Sequence, residues 1–97
     1  MTNPQRGEVA IEIDGAMRTL CLTLGALAEI EAALGCESLK DLSVRLKSVS
    51  ARDMIKLLAA LLRGAGHSEI ADQIEHLNIN PQRALSAILE CFGKAVP

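Results

Sequence analysis

Residues 8–22 read Glu8-Val9-Ala10-Ile11-Glu12-Ile13-Asp14-Gly15-Ala16-Met17-Arg18-Thr19-Leu20-Cys21-Leu22, and this stretch decides how the fold begins. Val9, Ile11 and Ile13 alternate with Glu8, Ala10 and Glu12, the period-two pattern of a half-buried strand. Asp14-Gly15 follows, a hairpin signal because both residues tolerate positive φ. Leu20 and Leu22 then alternate with Thr19, Cys21 and Thr23. A two- or four-residue loop starting at Asp14 sets odd positions of the first strand opposite even positions of the second. That parity places Val9, Ile11 and Ile13 on one face with Leu20 and Leu22. Arg18 falls on the same face near the turn and is expected to snorkel outward.

Beyond the hairpin the period becomes helical. Thr23 can cap a helix with Leu24, Leu27, Ile30 and Leu34 on its apolar side and Gly35 as its stop. Gly25 lacks a Cβ and is expected to admit a neighbouring backbone against the first turn. Ser38-Leu39-Lys40-Asp41 resembles a capping box and opens a short helix marked by Leu39, Leu42, Leu46 and Val49. Ser50-Ala51-Arg52-Asp53 repeats the signal before the most apolar helix, which carries Met54, Ile55, Leu57, Leu58, Leu61 and Leu62. Its polar stripe reads Arg52/Asp53, Lys56, Ala59/Ala60 and Arg63. So narrow a stripe predicts a central helix covered on several sides. Gly64-Ala65-Gly66 ends it. Ser68 can cap a fourth helix with Ile70, Ile74 and Leu77 on one face. Asn80-Pro81 starts a last helix carrying Leu85, Ile88, Leu89 and Phe92. The reading is one α+β, mostly helical domain over residues 1–97. It comprises an irregular N-terminus at 1–7, a β-hairpin at 8–23 and about five short helices over 24–95, joined by short gaps.

Composition bounds the function. The 97 residues hold 10 Lys+Arg against 12 Asp+Glu, a net charge of −2. That length suits a single domain. The apolar content is too high for a disordered tail. The charge lacks the positive excess of a dedicated nucleic-acid binder. Phe92 is the lone aromatic, so the platforms on which single-stranded bases stack are missing as well. Cys21, Cys36 and Cys91 are odd in number and form no CxxC motif, which points to reduced thiols of a cytoplasmic protein. Met1 to Glu8 has no apolar signal core. The longest uncharged run, Thr19 to Ala28, is far short of the roughly 20 residues of a membrane span.

Candidate chemistry is sparse. Asp72-x3-His76 could supply two metal ligands, but no motif places a third. Cys91 with His76 could form a nucleophilic pair, yet Cys91 lies beside the core stripe of the last helix. No phosphate-binding loop or nucleophile elbow occurs. The expectation is a protein that is not an enzyme, with no catalytic, metal-binding or cofactor-binding residues. A helix-turn-helix beginning at Ser68 would present Glu69 and Asp72 to a phosphate backbone, which disfavours DNA. Contact surface for proteins remains. Terminal elements often pack on one side only, so Leu85, Ile88, Leu89 and Phe92 are the candidate partner-binding residues. A small aliphatic core also gains stability from a partner or from self-association as a homo-oligomer.

Leu22-Thr23-Leu24-Gly25-Ala26-Leu27-Ala28-Glu29-Ile30-Glu31 carries a family resemblance. With Arg6-Gly7-Glu8-Val9, Asp14-Gly15 and Leu61-Leu62-Arg63-Gly64-Ala65-Gly66, it resembles the small tail-assembly proteins of gene transfer agents and related tailed phages. These are named both as tail-assembly-chaperone-like and as tail tube proteins. The resemblance runs from about Asn3 to about Phe92. It implies a protein that binds the apolar tape-measure protein, the tail tube protein, or both, in the bacterial host cytoplasm. It also implies, as an alternative, a structural component of the assembled tail particle. It brings no catalytic residues and no cofactor. A small prophage DNA-binding regulator is the third reading.

Overall fold

In the computed structural model, which describes residues 7–95, the period-two run forms an antiparallel hairpin of β1 (Glu8–Ile13) and β2 (Ala16–Cys21). The expected irregular N-terminus lies, apart from Gly7, outside the described residues. Ile13 pairs with Ala16 across a two-residue loop, and Asp14 and Gly15 sit at φ 54° and 83°. That is the double left-handed turn whose twist matches the strands. The register pairs Val9 with Leu20 and Ile11 with Arg18. Val9, Ile11, Ile13 and Leu20 are all buried on the shared face. Arg18 escapes only in part, since it is half-buried and its Nε has no hydrogen-bond partner among the described residues. The strand stops at Cys21 rather than Thr23 because Thr23 serves as a helix cap. The turn is tied down by the Asp14 N–H, which donates to the Asn78 carbonyl at 2.8 Å.

Helix α1 (Leu24–Leu34) begins where the Thr23 hydroxyl accepts from the Ala26 N–H at 3.0 Å. It ends at Gly35, φ 70°, with its last carbonyls taken by Gly35 and Cys36 N–H groups. The buried stripe is Ala26, Ile30 and Leu34, so the expected stripe is corrected at Leu24, which is 85% exposed. At 100° per residue Leu24 lies about 120° around the helix from Ile30, outside the contact face. In α2 (Leu39–Arg45) only Leu42 is buried. Leu39 is exposed and Val49 falls beyond the helix end, so this seven-residue helix presents one anchor rather than a stripe.

Helix α3 (Ala51–Gly64) is the centre of the molecule and packs against α1, β2, α4 (Ser68–Asp72) and α5 (Pro81–Ala95). Leu57, Ala60, Leu61 and Leu62 have no exposed surface. Its polar stripe is narrower than expected: Asp53, Ala59 and Ala60 are buried, leaving Arg52, Lys56 and Arg63 outside. Covered flanks explain this, because α1 and α4 pack along it. Asp53 closes a capping box with Ser50 and accepts from Arg45 at 3.0 Å. Arg45 also donates to the Leu34 carbonyl, so one guanidinium fastens the end of α1 to the start of α3. Burial alone would raise the Asp53 pKa. The Ser50 backbone N–H and the Arg45 guanidinium outweigh it and hold the carboxyl below its ordinary value. At the other end, Arg63 pairs with Glu29 of α1 and Asp72 of α4.

The chain leaves α3 at Gly64, and here the backbones approach. A Cβ on Gly64 would stand 2.2 Å from the Cys21 carbonyl oxygen and 3.2 Å from the Ala26 Cβ. The close approach expected at Gly25 is therefore found at Gly64; a Cβ on Gly25 would meet only Thr23 Oγ1, at 3.8 Å. The fourth helix also differs from expectation. His67, not Ser68, holds the cap position, without a side-chain bond, and α4 gives way to a 3₁₀ turn at Ile74–His76. A short uncapped helix is marginal. The tighter turn brings Ile74 in line with Ala71, and both are buried. In α5, Asn80 Oδ1 accepts from the Gln82 and Arg83 N–H groups ahead of the helix, as the Asn80-Pro81 signal predicts.

Gly64→Ala is expected to destabilise by more than about 2 kcal/mol, because a backbone carbonyl cannot yield as a side chain can. Gly25→Ala should instead be neutral or add up to about 0.5–1 kcal/mol. Urea unfolding of the two variants checks the contrast. Since the folded Asp53 pKa is depressed, its contribution is full above the unfolded value near pH 4 and is lost as pH falls through the folded value. Asp53→Asn should therefore cost about 1–3 kcal/mol at pH 7. The gap from the parent should narrow as pH falls below the unfolded value, measured by the same unfolding experiment.

Candidate functional site

Helix α5 sorts its side chains onto three lines. Ala84, Ala87, Ile88 and Cys91 recur at i, i+3, i+4 and i+7 and are buried. Leu85, Leu89 and Phe92 follow one flank of that stripe; Arg83, Ser86 and Glu90 follow the other. The four residues proposed from sequence thus separate. Ile88 is fully buried and serves the core, not a contact surface; its place between Ala84 and Cys91 on the inner line decides this. Leu89 is 43% exposed. Leu85 and Phe92 are half-buried, and Phe92 packs against the core cluster. The apolar flank is therefore a shallow surface of three side chains.

The polar flank borders a groove of about 670 Å³ between α5 and β1. Sequence reasoning missed this groove, because it arises from the spacing of two elements 70 residues apart along the chain. The signal that was present is Ala87, a small side chain on the inner line of α5 that borders the groove. A smaller apolar trough of about 170 Å³ lies between Met54, Ile55 and Leu58 of α3 and Ile74, Leu77 and Ile79. Other exposed large apolar side chains, Met17, Leu24, Leu39 and Val44, stand on three different elements. Singly scattered apolar residues are ordinary on a protein surface.

The residues considered for chemistry lie apart. Cys91 is sealed in the core while His76 is exposed on the 3₁₀ turn. Asp72 is taken by Arg63 at 3.1 Å. Among the described residues, no three His, Cys, Asp or Glu side chains gather as a metal site, and no helix is long and apolar enough to cross a membrane. With five residues, α4 is about 7.5 Å long, too short to serve as a recognition helix along a major groove.

What this arrangement offers is surface, and comparison gives it a context. The model of the family described as "Phage tail tube protein, GTA-gp10" matches residues 6–94. The chain belongs to that family. This agrees with the resemblance carried by the Leu22–Glu31 segment and by the hairpin, and it assigns a structural or assembly role related to phage tails. No curated protein and no solved structure matches the chain. For a tail protein, other tail proteins are the partners that the family suggests.

Substitution along α5 should separate core from surface. Ile88→Ala is expected to cost about 2–4 kcal/mol. Phe92→Ala should cost about 1–3 kcal/mol, reflecting its half-burial. Leu89→Ser should stay within about 0.5 kcal/mol of the parent. Thermal unfolding followed by circular dichroism gives the ranking.

Proposed function

We propose that this tail protein acts before or during tube assembly as a chaperone-like binding factor in the bacterial host cytoplasm. Its partner in this reading is the long apolar tape-measure protein, held until tube subunits polymerise around it. The role is binding without catalysis. The observation that carries the reading is the apolar flank of α5, Leu85, Leu89 and Phe92, left half-covered beside a complete core in a member of a phage-tail family. An aliphatic face of this kind suits transient contact with an amphipathic helix read at i, i+4 and i+7.

The family description also favours a second reading, in which the protein stays in the finished tail as a structural component. The two readings differ in where the protein ends up. Affinity capture from cells expressing the whole tail cluster is expected to recover the tape-measure protein, and mass spectrometry of purified particles is expected to lack this chain. Leu89→Asp should reduce that recovery at least about tenfold while leaving the unfolding temperature unchanged, as expected for a central contact. Capture of neither tape-measure nor tube protein would overturn the chaperone reading. Stoichiometric presence in particles would favour the structural one.

A further inference from the structure

The segment that joins α3 to α5 is fastened more lightly than either helix. Of residues 68–79 only Ala71 and Ile74 are buried. A groove of about 270 Å³, bordered by Glu29, Ala33 and Lys56, undercuts the segment on the α1 side. The trough of about 170 Å³ against Met54 and Leu58 undercuts it on the other. Ile55 and Ile74 line both, so the segment meets α3 along a narrow ridge. Its hydrogen bonds are mostly internal: Gln73 N–H to the Ile70 carbonyl, His76 to Gln73, Leu77 to Ile74. Two bonds reach the rest of the described chain. Asp72 accepts from Arg63 at 3.1 Å, and the Asn78 carbonyl accepts from the Asp14 N–H at 2.8 Å.

The flanking helices do not need the segment for their own ends. Ala65, Gly66 and His67 N–H groups take the last carbonyls of α3, and Asn80 Oδ1 caps α5. Arg63 also holds Glu29, so losing Asp72 leaves the guanidinium paired. We propose that residues 68–79 form a strap that lifts off α3 as one unit, between Gly66 and Pro81, while the rest of the fold stays closed, with Asp72 as its latch. Opening uncovers Met54, Ile55 and Leu58, so the apolar area of α3 at the surface is set by an equilibrium built into the fold. Segments with few buried side chains open in this way below the free energy of global unfolding. The inference does not depend on which tail protein is the partner.

Native-state hydrogen exchange of the full-length, nitrogen-15-labelled protein tests the strap. The Gln73, His76 and Leu77 amides should share one protection factor, at least about a hundredfold below those of Leu61 and Ile88. Asp14 is the diagnostic amide. Its N–H bonds to the strap rather than across the hairpin, so its protection should follow Leu77 and not Ile13 or Ala16. Asp72→Asn should lower protection at Asp14, Gln73, His76 and Leu77 by one common factor of about two to five and leave Leu61 and Ile88 unchanged. Sodium chloride at about 1 M should give the parent the same shift and the variant much less, because it screens the latch. Four results would each overturn the proposal: protection that differs residue by residue along the segment, protection equal to that of Leu61, an Asp14 amide that follows Ile13, or the same response to salt in parent and variant.

Discussion

The contact between Gly64 and the Cys21 carbonyl sets the geometry on which the other packing relations depend. It brings the end of the central helix against the end of the hairpin with no side chain between them. The neighbouring residues use that position. Leu61 and Leu62 are fully buried, and Arg63 reaches Glu29 on one side and Asp72 on the other. Four consecutive residues thus join the hairpin, the core, α1 and α4. The other end of α3 is held by Ser50, Asp53 and Arg45, with Arg45 also bound to the Leu34 carbonyl. A helix fixed at both ends lets a core without buried aromatic rings pack around Leu57, Leu58, Leu61 and Leu62. Close packing of aliphatic side chains needs such defined spacing, since small gaps forfeit dispersion contacts.

That framework determines what remains for partners. The inner line of α5 is buried and the helix packs against both the hairpin and α3, while residues of its two flanks stay partly or fully exposed. One flank is apolar and the other faces a groove with carboxylates and a strand edge. Membership of a phage-tail family suggests interaction with other tail proteins.

Much of the fold was legible because its signals are local. Asp14-Gly15 takes the φ values that its turn needs. Thr23, Ser38, Ser50 and Asn80 all cap the helices they precede, each accepting an N–H two or three residues ahead. Strand parity was readable because one missing residue in the turn would have sent every apolar side chain to the wrong face. The errors share a cause. Leu24 and Leu39 fit the helical period but lie where no neighbouring element covers them. Ala59 and Ala60 look like a weak polar stripe yet are buried under neighbours. Ser68 can cap a helix by type, but the chain's exit from Gly66 at φ 91° places His67 there instead.

By itself, then, the sequence determined the hairpin, its register, the order of the helices and most of their caps, since each depends on residues within a few positions of one another. It also carried the family, through Leu22–Glu31 and the segments that accompany it. Only the tertiary structure decided which glycine must lack a side chain, which α5 residue belongs to the core, and that a groove lies between β1 and α5. Gly25 and Gly64 are equally bare, and Ile88 and Leu89 are equally apolar. What distinguishes them is the atom that stands opposite, and that atom comes from a segment distant along the chain.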